Sequence, residues 1–544
     1  MPIATSDWQD KAQAFKTALS SKIPTSYLLS ETPSTSTDDK VPVPVSTLLQ
    51  SVLSPLEKEI TSLDATALRD AVASRRYTSV EVIKSYARAA AIVHQKTNCL
   101  MAYFLDEALE RAQWLDDELE RTGKTVGPLH GVPISVKDHL GIKGHESTAG
   151  FVSWIGNHIA PKDGVIVSIL RAAGAVFWVK TTNPQAIMHL ETDSFLGPTL
   201  NAYNPKLTSG GSSGGEGALI GGGGSPLGIG TDIGGSIRNP AANNGIYGFK
   251  PTSMRLPKAG NFTALAGQES IVGAIGPMGK SVRDMDLFVS TVLAAQPWQM
   301  DTTVVRMPWR PQEVVWKNEG RLPKVGIMWD DGVVGPQPPM RRALQMAVEK
   351  LKKAGMEVVD YQPYKTKENW DIISSLYFTD GGEAVKAAAA ESGEPLLPLT
   401  EWIIKQNSKV RTPHEHWDLV KRREMYRNEY ASHFISQDVD VILCPSNPGP
   451  ANVLGTSKYW SYTSIFNLVD YPSAVFPTGL YVDPEVDARD EKREFWSEKD
   501  EECWEAYSPE LMQGAPISLQ IAAPRWEDEK VMKALEIVSD IVRS

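Results

Sequence analysis

The residues best suited to chemistry in this chain lie in one stretch. Ser209 to Gly248 reads SGGSSGGEGALIGGGGSPLGIGTDIGGSIRNPAANNGIYG and holds 15 of the chain's 42 glycines. Ser212, Ser213 and Ser236 supply hydroxyls beside glycines, whose backbone can take positive φ or approach another group closely. Hydroxyls set among exposed N–H groups make an oxyanion-binding layout, the setting a serine nucleophile requires. A flexible Gly/Ser tether would need neither the apolar runs ALI, PLGIG and IYGF nor the acid at Asp232. A phosphate cradle would need Lys-Ser/Thr after its last glycine, or GxGxxG after a strand with a distant acid, and neither order occurs.

A serine hydroxyl also needs a base. The histidines near these motifs are His130, His139, His145 and His189, and a Ser-His-Asp triad is recognised by geometry rather than by sequence position. A lysine can serve instead if it is neutral, so its pKa must fall from about 10.4 toward neutrality, at a cost of about 3–4 kcal/mol. The apolar run Val132-Pro133-Ile134 before Ser135-Val136-Lys137 predicts a strand that carries Lys137 inward.

The string GGSSGGEGALIGGGGSPLGIGTDIGGSIRNPAANNGIYGFKPT resembles the signature of the amidase-signature family, serine hydrolases that cleave amide carbon–nitrogen bonds. GPLHGVPISVKD (Gly127 to Asp138) is similar to the family segment carrying its catalytic lysine. KTTNPQ, GPTLNAYNP, GPM (Gly276 to Met278) and PISLQIAAPRWEDE extend the likeness over roughly residues 60 to 542, and AIVHQKTNCL and PWQMDTTVVRMPWR resemble fungal acetamidases or general amidases most. The resemblance implies Ser236 as nucleophile, Ser212 as a bridging serine after a cis peptide bond, and Lys137 as base. It implies an oxyanion hole from the N–H groups of Ile233, Gly234, Gly235 and Ser236, with Ser213, Asp232 and Arg238 in support. Small carboxamides are then the expected substrates, with no cofactor and no metal. The alternatives are an N-acyl amide hydrolase of fatty-acid-amide type, or an amidotransferase subunit feeding ammonia to a partner acting on charged tRNA. A catalytically dead binding protein is disfavoured by the presence of all three residues.

Composition narrows the remainder. A net charge of −11 over 544 residues argues against nucleic acid or an anionic membrane as partner. No stretch reaches the roughly 18 uninterrupted apolar residues of a membrane helix, and the N-terminus lacks the apolar core of a signal peptide. Three scattered cysteines, Cys99, Cys444 and Cys503, cannot frame a disulfide scaffold, which fits a reducing, cytoplasmic setting. A Cys-Glu-Lys site of nitrilase type would need an electropositive thiol, which neither Cys99 nor Cys444 shows. No HExxH or CxxC occurs, and the pair His414 and His416 reads as decoration at a helix start. The amidase-signature resemblance also implies a possible homodimer.

Alternating strand and helix patterns predict an α/β fold: one large, mixed, mostly buried sheet with helices on both faces. Residues 1–60 read as a helical arm followed by an extended strap at ETPSTSTDDKVPVPVS. Residues 61–544 read as the catalytic domain, with the signature at about 125–280 and a helix-rich cover at about 365–435. Thr78 and Glu81 form a capping box before VIKSYARAAAIVHQ, and Asp163 is expected to open a helix to Ala173, followed by the strand GAVFWVK. KVGIMWDD, RRALQMAVEKLKKAG and MEVVDY read as strand, helix and strand. VDVILCP, SAVFPTG and PISLQIAAP read as buried strands. The aromatics Trp370, Tyr377, Phe378, Trp402 and Trp417 would roof the substrate entrance or belong to the core. Those around Trp370 and Tyr459-Trp460 would line a pocket wide enough for aryl or longer acyl groups.

Overall fold

Runs rich in Val, Ile and Phe with no charge to place in water can settle only in a sheet covered on both faces. In this computed structural model, which describes residues 8–29, 42–318, 320, 322–490 and 492–544, they do so in one eleven-stranded sheet. The strands are β1 (Leu100–Tyr103), β2 (Pro133–Lys137), β3 (Val176–Thr181), β4 (Leu227–Asp232), β5 (Tyr247–Lys250), β6 (Ala274–Gly279), β7 (Val325–Ile327), β8 (Val358–Asp360), β9 (Val441–Pro445), β10 (Ser473–Tyr481) and β11 (Pro516–Ala522). Their spatial order is β1-β3-β2-β4-β6-β5-β10-β11-β9-β7-β8. β2 runs parallel to both β3 and β4, and β7 parallel to β8 and β9, while the remaining pairs are antiparallel. The sheet is therefore mixed, as its sequence pattern predicts.

The two-residue period of a strand sorts side chains between two cores. On β9, Val441 and Leu443 enter one core while Ile442 and Cys444 enter the other. Ile134 and Val136 of β2 and Leu227 and Ile229 of β4 join the first core, with residues of the helices Val165–Ala172 and Val282–Ala294. Ser135 and Lys137 thus face the opposite side, against the helix Gly214–Gly221. Parallel pairing sets Ser135 opposite Gly228 and Val136 opposite Ile229, so the carboxyl ends of β2 and β4 emerge side by side. Ligands of α/β sheets commonly bind at such ends.

Local signals are obeyed with one shift. Thr78 and Glu81 close a reciprocal capping box on the helix Ser79–Thr97, and β7, the helix Pro338–Lys353 and β8 form the expected strand–helix–strand unit. Asp163 does not cap its helix: Gly164 does, and the helix is Val165–Ala172. The Asp163 carboxylate instead accepts from the Lys143 N–H at 2.8 Å and pairs with Arg171 at 2.7 Å, and those bonds leave it unavailable to the helix end. Most of the segment read as a strap lies outside the described residues, and Val45 and Ser46 at its end already belong to the helix Val45–Val52. The helix Trp8–Ser21 packs back on the body, with the Phe15 ring edge-on to Phe195 at 5.4 Å.

Between 366 and 436 lie the helices Thr366–Tyr377, Glu383–Ala390, Pro398–Ile404 and Pro413–Ser436. Tyr377 and Phe378 are core residues, whereas Trp417 is exposed. No described helix is long and apolar enough to cross a membrane.

Ile229 is fully buried between the neighbours of β4. Ile229→Ala should lower the unfolding free energy by about 2–5 kcal/mol, and Thr78→Ala, which removes one exposed cap, by about 1 kcal/mol. Urea denaturation reads both, and equal losses would show that the β4 position is not close-packed.

Candidate active site

β2 ends on Lys137, and the register just described leaves its amine no route to water. The Lys137 Nζ lies 2.7 Å from Ser212 Oγ and 2.9 Å from Thr231 Oγ1. Burial pushes its pKa down to about 7, with Asp232, Glu216 and Asp138 opposing the fall. Lys180, on the adjacent strand β3, is buried too, but it donates to Ser147 Oγ at 2.8 Å and faces the Asp138 carboxylate at 3.6 Å. Lys137 has hydroxyls rather than a carboxylate at hydrogen-bond distance. Of this pair it is the one poised to exchange a proton with a hydroxyl.

Ser212 and Ser213 precede the helix Gly214–Gly221, and the Gly211–Ser212 peptide is cis. The Ser213 N–H donates to the Ser236 carbonyl at 3.1 Å, which ties the two serine segments together. Ser213 Oγ donates to the Thr231 carbonyl and accepts from the Thr231 N–H, each at 3.3 Å. Glu216, inside the helix, accepts from Thr181 Oγ1 at 2.9 Å and from Ser135 Oγ, bracing the helix on β2 and β3. Burial pushes its pKa up to about 8. A Cβ at position 228 would sit 1.9 Å from Glu216 Oε2, so Gly228 is required by close approach.

The turn after β4 is organised by one carboxylate. Asp232 Oδ1 accepts from the Gly235 N–H at 2.8 Å, Arg238 Nη2 at 2.9 Å and Asn467 Nδ2 at 2.9 Å, and Oδ2 accepts from the Ile237 N–H at 3.1 Å and Arg238 Nε at 3.0 Å. Burial opposes the charge of Asp232, but the Arg238 guanidinium overcomes it and holds the carboxyl well below the usual range. Arg238 is itself fully buried and donates onward to the Thr463 carbonyl at 2.9 Å, Gln520 Oε1 at 2.8 Å and Asn467 Oδ1 at 2.7 Å. Tyr377 OH donates to the Ile233 carbonyl at 3.1 Å, and Thr463 Oγ1 to the Gly234 carbonyl at 2.7 Å. Among the described residues the N–H groups of Ile233, Gly234 and Ser236 donate to no protein acceptor, whereas that of Gly235 is committed to Asp232.

Ser212, Thr231, Ile233 and His139 border a cavity of about 400 Å³ whose other walls include Ile187, Met188, Leu265, Ile271 and Ile275. Trp370, Tyr459 and Trp460 line a different cavity, of about 460 Å³. The Trp460 ring also packs against Gly234, 3.5 Å from where a Cβ would stand. Of the four histidines weighed as bases, His139 alone reaches the lysine's partners, with Nε2 2.9 Å from Thr231 Oγ1. His130 Nδ1 accepts from the Val126 N–H, His145 faces Glu107, and His189 is buried against Trp402 and Trp460. Burial pushes the thiols of Cys99, Cys444 and Cys503 up to about 12, the opposite of a reactive thiol. His414 lies near Asp418 and His416 contacts Ser270, both at the start of the helix Pro413–Ser436. Among the described residues no three His, Cys, Asp or Glu are grouped to hold a metal ion.

Sequence reasoning missed Glu216, Thr231, Thr463, Asn467 and Gln520, and it gave Tyr377 only as an aromatic of the entrance roof or the core. Glu216 carried a signal, as an acid among the small residues of a glycine-rich run. Thr231 adjoins Asp232. Thr463, Asn467 and Gln520 come from remote segments and carried none. Removing Arg238 would leave Asp232 as an uncompensated buried charge, so Arg238→Met should destabilise the protein by about 3–5 kcal/mol and disorder the turn. Chemical denaturation reads the first and residual activity the second, and a stable, fully active variant would refute the bracing role.

The pattern of the family described as Amidase matches residues 81–532. A protein of Schizosaccharomyces pombe named as an amidase is 46% identical over 98% of this chain and 99% of its own. An acetamidase of Emericella nidulans is 36% identical over 98% of each. The solved structure of a fatty acid amide hydrolase superposes with a TM-score of 0.94 at 38% identity, covering 99% of this chain and 96% of that one. The chain belongs to the amidase signature family of amide-hydrolysing enzymes.

Proposed function

We propose that Ser236, Ser212 and Lys137 hydrolyse carboxamides through an acyl-enzyme. An amide is a poor electrophile with a poor leaving group, so the reaction needs an activated nucleophile, an oxyanion hole and a proton donor for the departing nitrogen. Ser236 Oγ attacks the carbonyl carbon as its proton passes through Ser212 to Lys137. The oxyanion is received by the free N–H groups of Ile233, Gly234 and Ser236, and Gly235 serves by shaping the turn. The proton returns through Ser212 to the leaving nitrogen, releasing ammonia or an amine. Water then attacks the acyl-enzyme by the same route, freeing the acid and restoring Ser236. The observation that carries this reading is the buried Lys137 amine, 2.7 Å from a serine hydroxyl with its pKa near 7.

For the substrate, the first reading is small aliphatic or aromatic primary amides, in keeping with the similarity to acetamidases. A second reading, an N-acyl amide hydrolase, is favoured by the cavity itself. Its roughly 400 Å³ lies in the range that holds ligands of a dozen or more heavy atoms, well beyond an acetyl group, and Ile187, Met188, Leu265, Ile271 and Ile275 give it an apolar portion.

Ser236→Ala should remove on the order of 10⁶ of the rate without unfolding the protein, and Lys137→Ala should remove most activity. Because the base acts only when neutral, kcat should rise with pH through about 7 and be lost below it. A fluorophosphonate label on another serine, or an acid-favouring profile, would overturn the assignment. Comparing kcat/KM across primary amides of increasing acyl length, beside matched N-substituted amides, decides the substrate. A preference above about tenfold for the long-chain N-acyl amide selects the second reading.

A further inference from the structure

Resting on the Lys137 reading just given, we propose that His139 is a positioning residue: by accepting the Thr231 hydroxyl hydrogen, it keeps that hydroxyl from capping the lysine lone pair that Ser212 must reach. The bonds define the direction of the chain. The Phe262 carbonyl can only accept, and it lies 3.1 Å from His139 Nδ1, so Nδ1 carries the hydrogen. His139 is 7% exposed, so burial first, then Lys137 whenever it is protonated and the Lys180 cation, oppose a second proton, and Nε2 is an acceptor. Its partner is Thr231 Oγ1 at 2.9 Å.

A threonine hydroxyl has one hydrogen to donate. With that hydrogen on His139, Thr231 can only accept from Lys137 Nζ, 2.9 Å away. A neutral amine has two hydrogens and one lone pair. One hydrogen is fixed on Thr231, and the lone pair is left for the Ser212 hydroxyl at 2.7 Å. Without His139, Thr231 could rotate its hydrogen onto the same lone pair, stabilising the neutral amine while withdrawing it from Ser212. The groups that set the lysine's charge, Asp232, Glu216 and Asp138, are untouched by this change.

The test compares full-length wild type, His139→Leu, Thr231→Val and the double variant His139→Leu/Thr231→Val in kcat, KM and pH profile on one hydrolysed amide. His139→Leu should lower kcat about tenfold, leave KM within about twofold, and move the rising limb of kcat to lower pH, because the capping hydroxyl favours the neutral amine. Deleting that hydroxyl in the double variant should restore kcat toward that of Thr231→Val. A merely structural role predicts a double variant at least as impaired as His139→Leu, and that result overturns the proposal, as does a wild-type limb in His139→Leu. Should the leucine variant fail to fold, His139→Gln, which keeps an N–H for Phe262 and an oxygen for Thr231, must retain kcat within about threefold, and a loss as large as tenfold refutes the proposal. Lys137→Ala run alongside separates the two readings: if it remains active, the lysine mechanism fails, whereas an inactive Lys137→Ala with an unperturbed His139→Leu rejects only the role of His139.

Discussion

The burial of one lysine amine is the constraint around which this site is built. Moving Lys137 from an ordinary pKa of 10.5 to about 7 corresponds to about 5 kcal/mol taken from its charged form. That cost is tolerable only where the neutral amine is hydrogen-bonded and carboxylates stand near without touching it. The sheet meets both conditions. Two parallel strands end together, so that hydroxyls from the carboxyl end of β4 and from the Ser212 segment converge on the end of β2. Asp138, one residue beyond, is occupied by the Thr148 and Ala149 N–H groups and by Lys180, and leaves the Lys137 amine unpaired.

A second buried charge is treated in the opposite way. Asp232 and Arg238 are paired and saturated, and they define the turn in which Ser236 sits. Partners for this pair come from Thr463, Asn467 and Gln520, more than two hundred residues further along the chain. Such a pair contributes less to net stability than to specifying one backbone path, because any alternative path leaves a charge unsatisfied in the interior. The pinned carbonyls of Ile233 and Gly234 have the same effect on a finer scale. A planar peptide points its N–H away from its C=O, so the bond from Tyr377 to the Ile233 carbonyl directs the Gly234 N–H to the other side of the turn.

Trp460 links this machinery to the outer helices. It packs on Gly234 with one part of its ring system and meets Trp370, Trp402 and Tyr377 with the rest, at centroid separations near 6 Å. The aromatic layer therefore supports the turn from behind, and the cavity that opens on Ser212 sets aliphatic side chains beside polar ones such as Lys258, Gln268 and Asp301.

Much of this could be read from the chain alone where the controlling physics is local. The apolar run ending on Lys137, the capping box at Thr78 and Glu81, and the strand pattern of VDVILCP follow from periodicity and short-range hydrogen bonding, and the amidase resemblance rests on a contiguous string of residues. Where competition between nearby partners decides, local reading erred by a residue, as at Asp163, whose carboxylate takes Arg171 and the Lys143 N–H in place of the helix end. Tertiary structure alone decided which groups surround the lysine. Thr231 reaches it only because β2 and β4 run parallel in one register. The Phe262 carbonyl engages His139 Nδ1 and leaves Nε2 to Thr231, and Gly235 lends its N–H to Asp232 rather than leaving it free. Sequence specifies which side chains carry chemistry, but the direction of each hydrogen bond depends on what competes for it, and those competitors arrive from elements far apart in the chain.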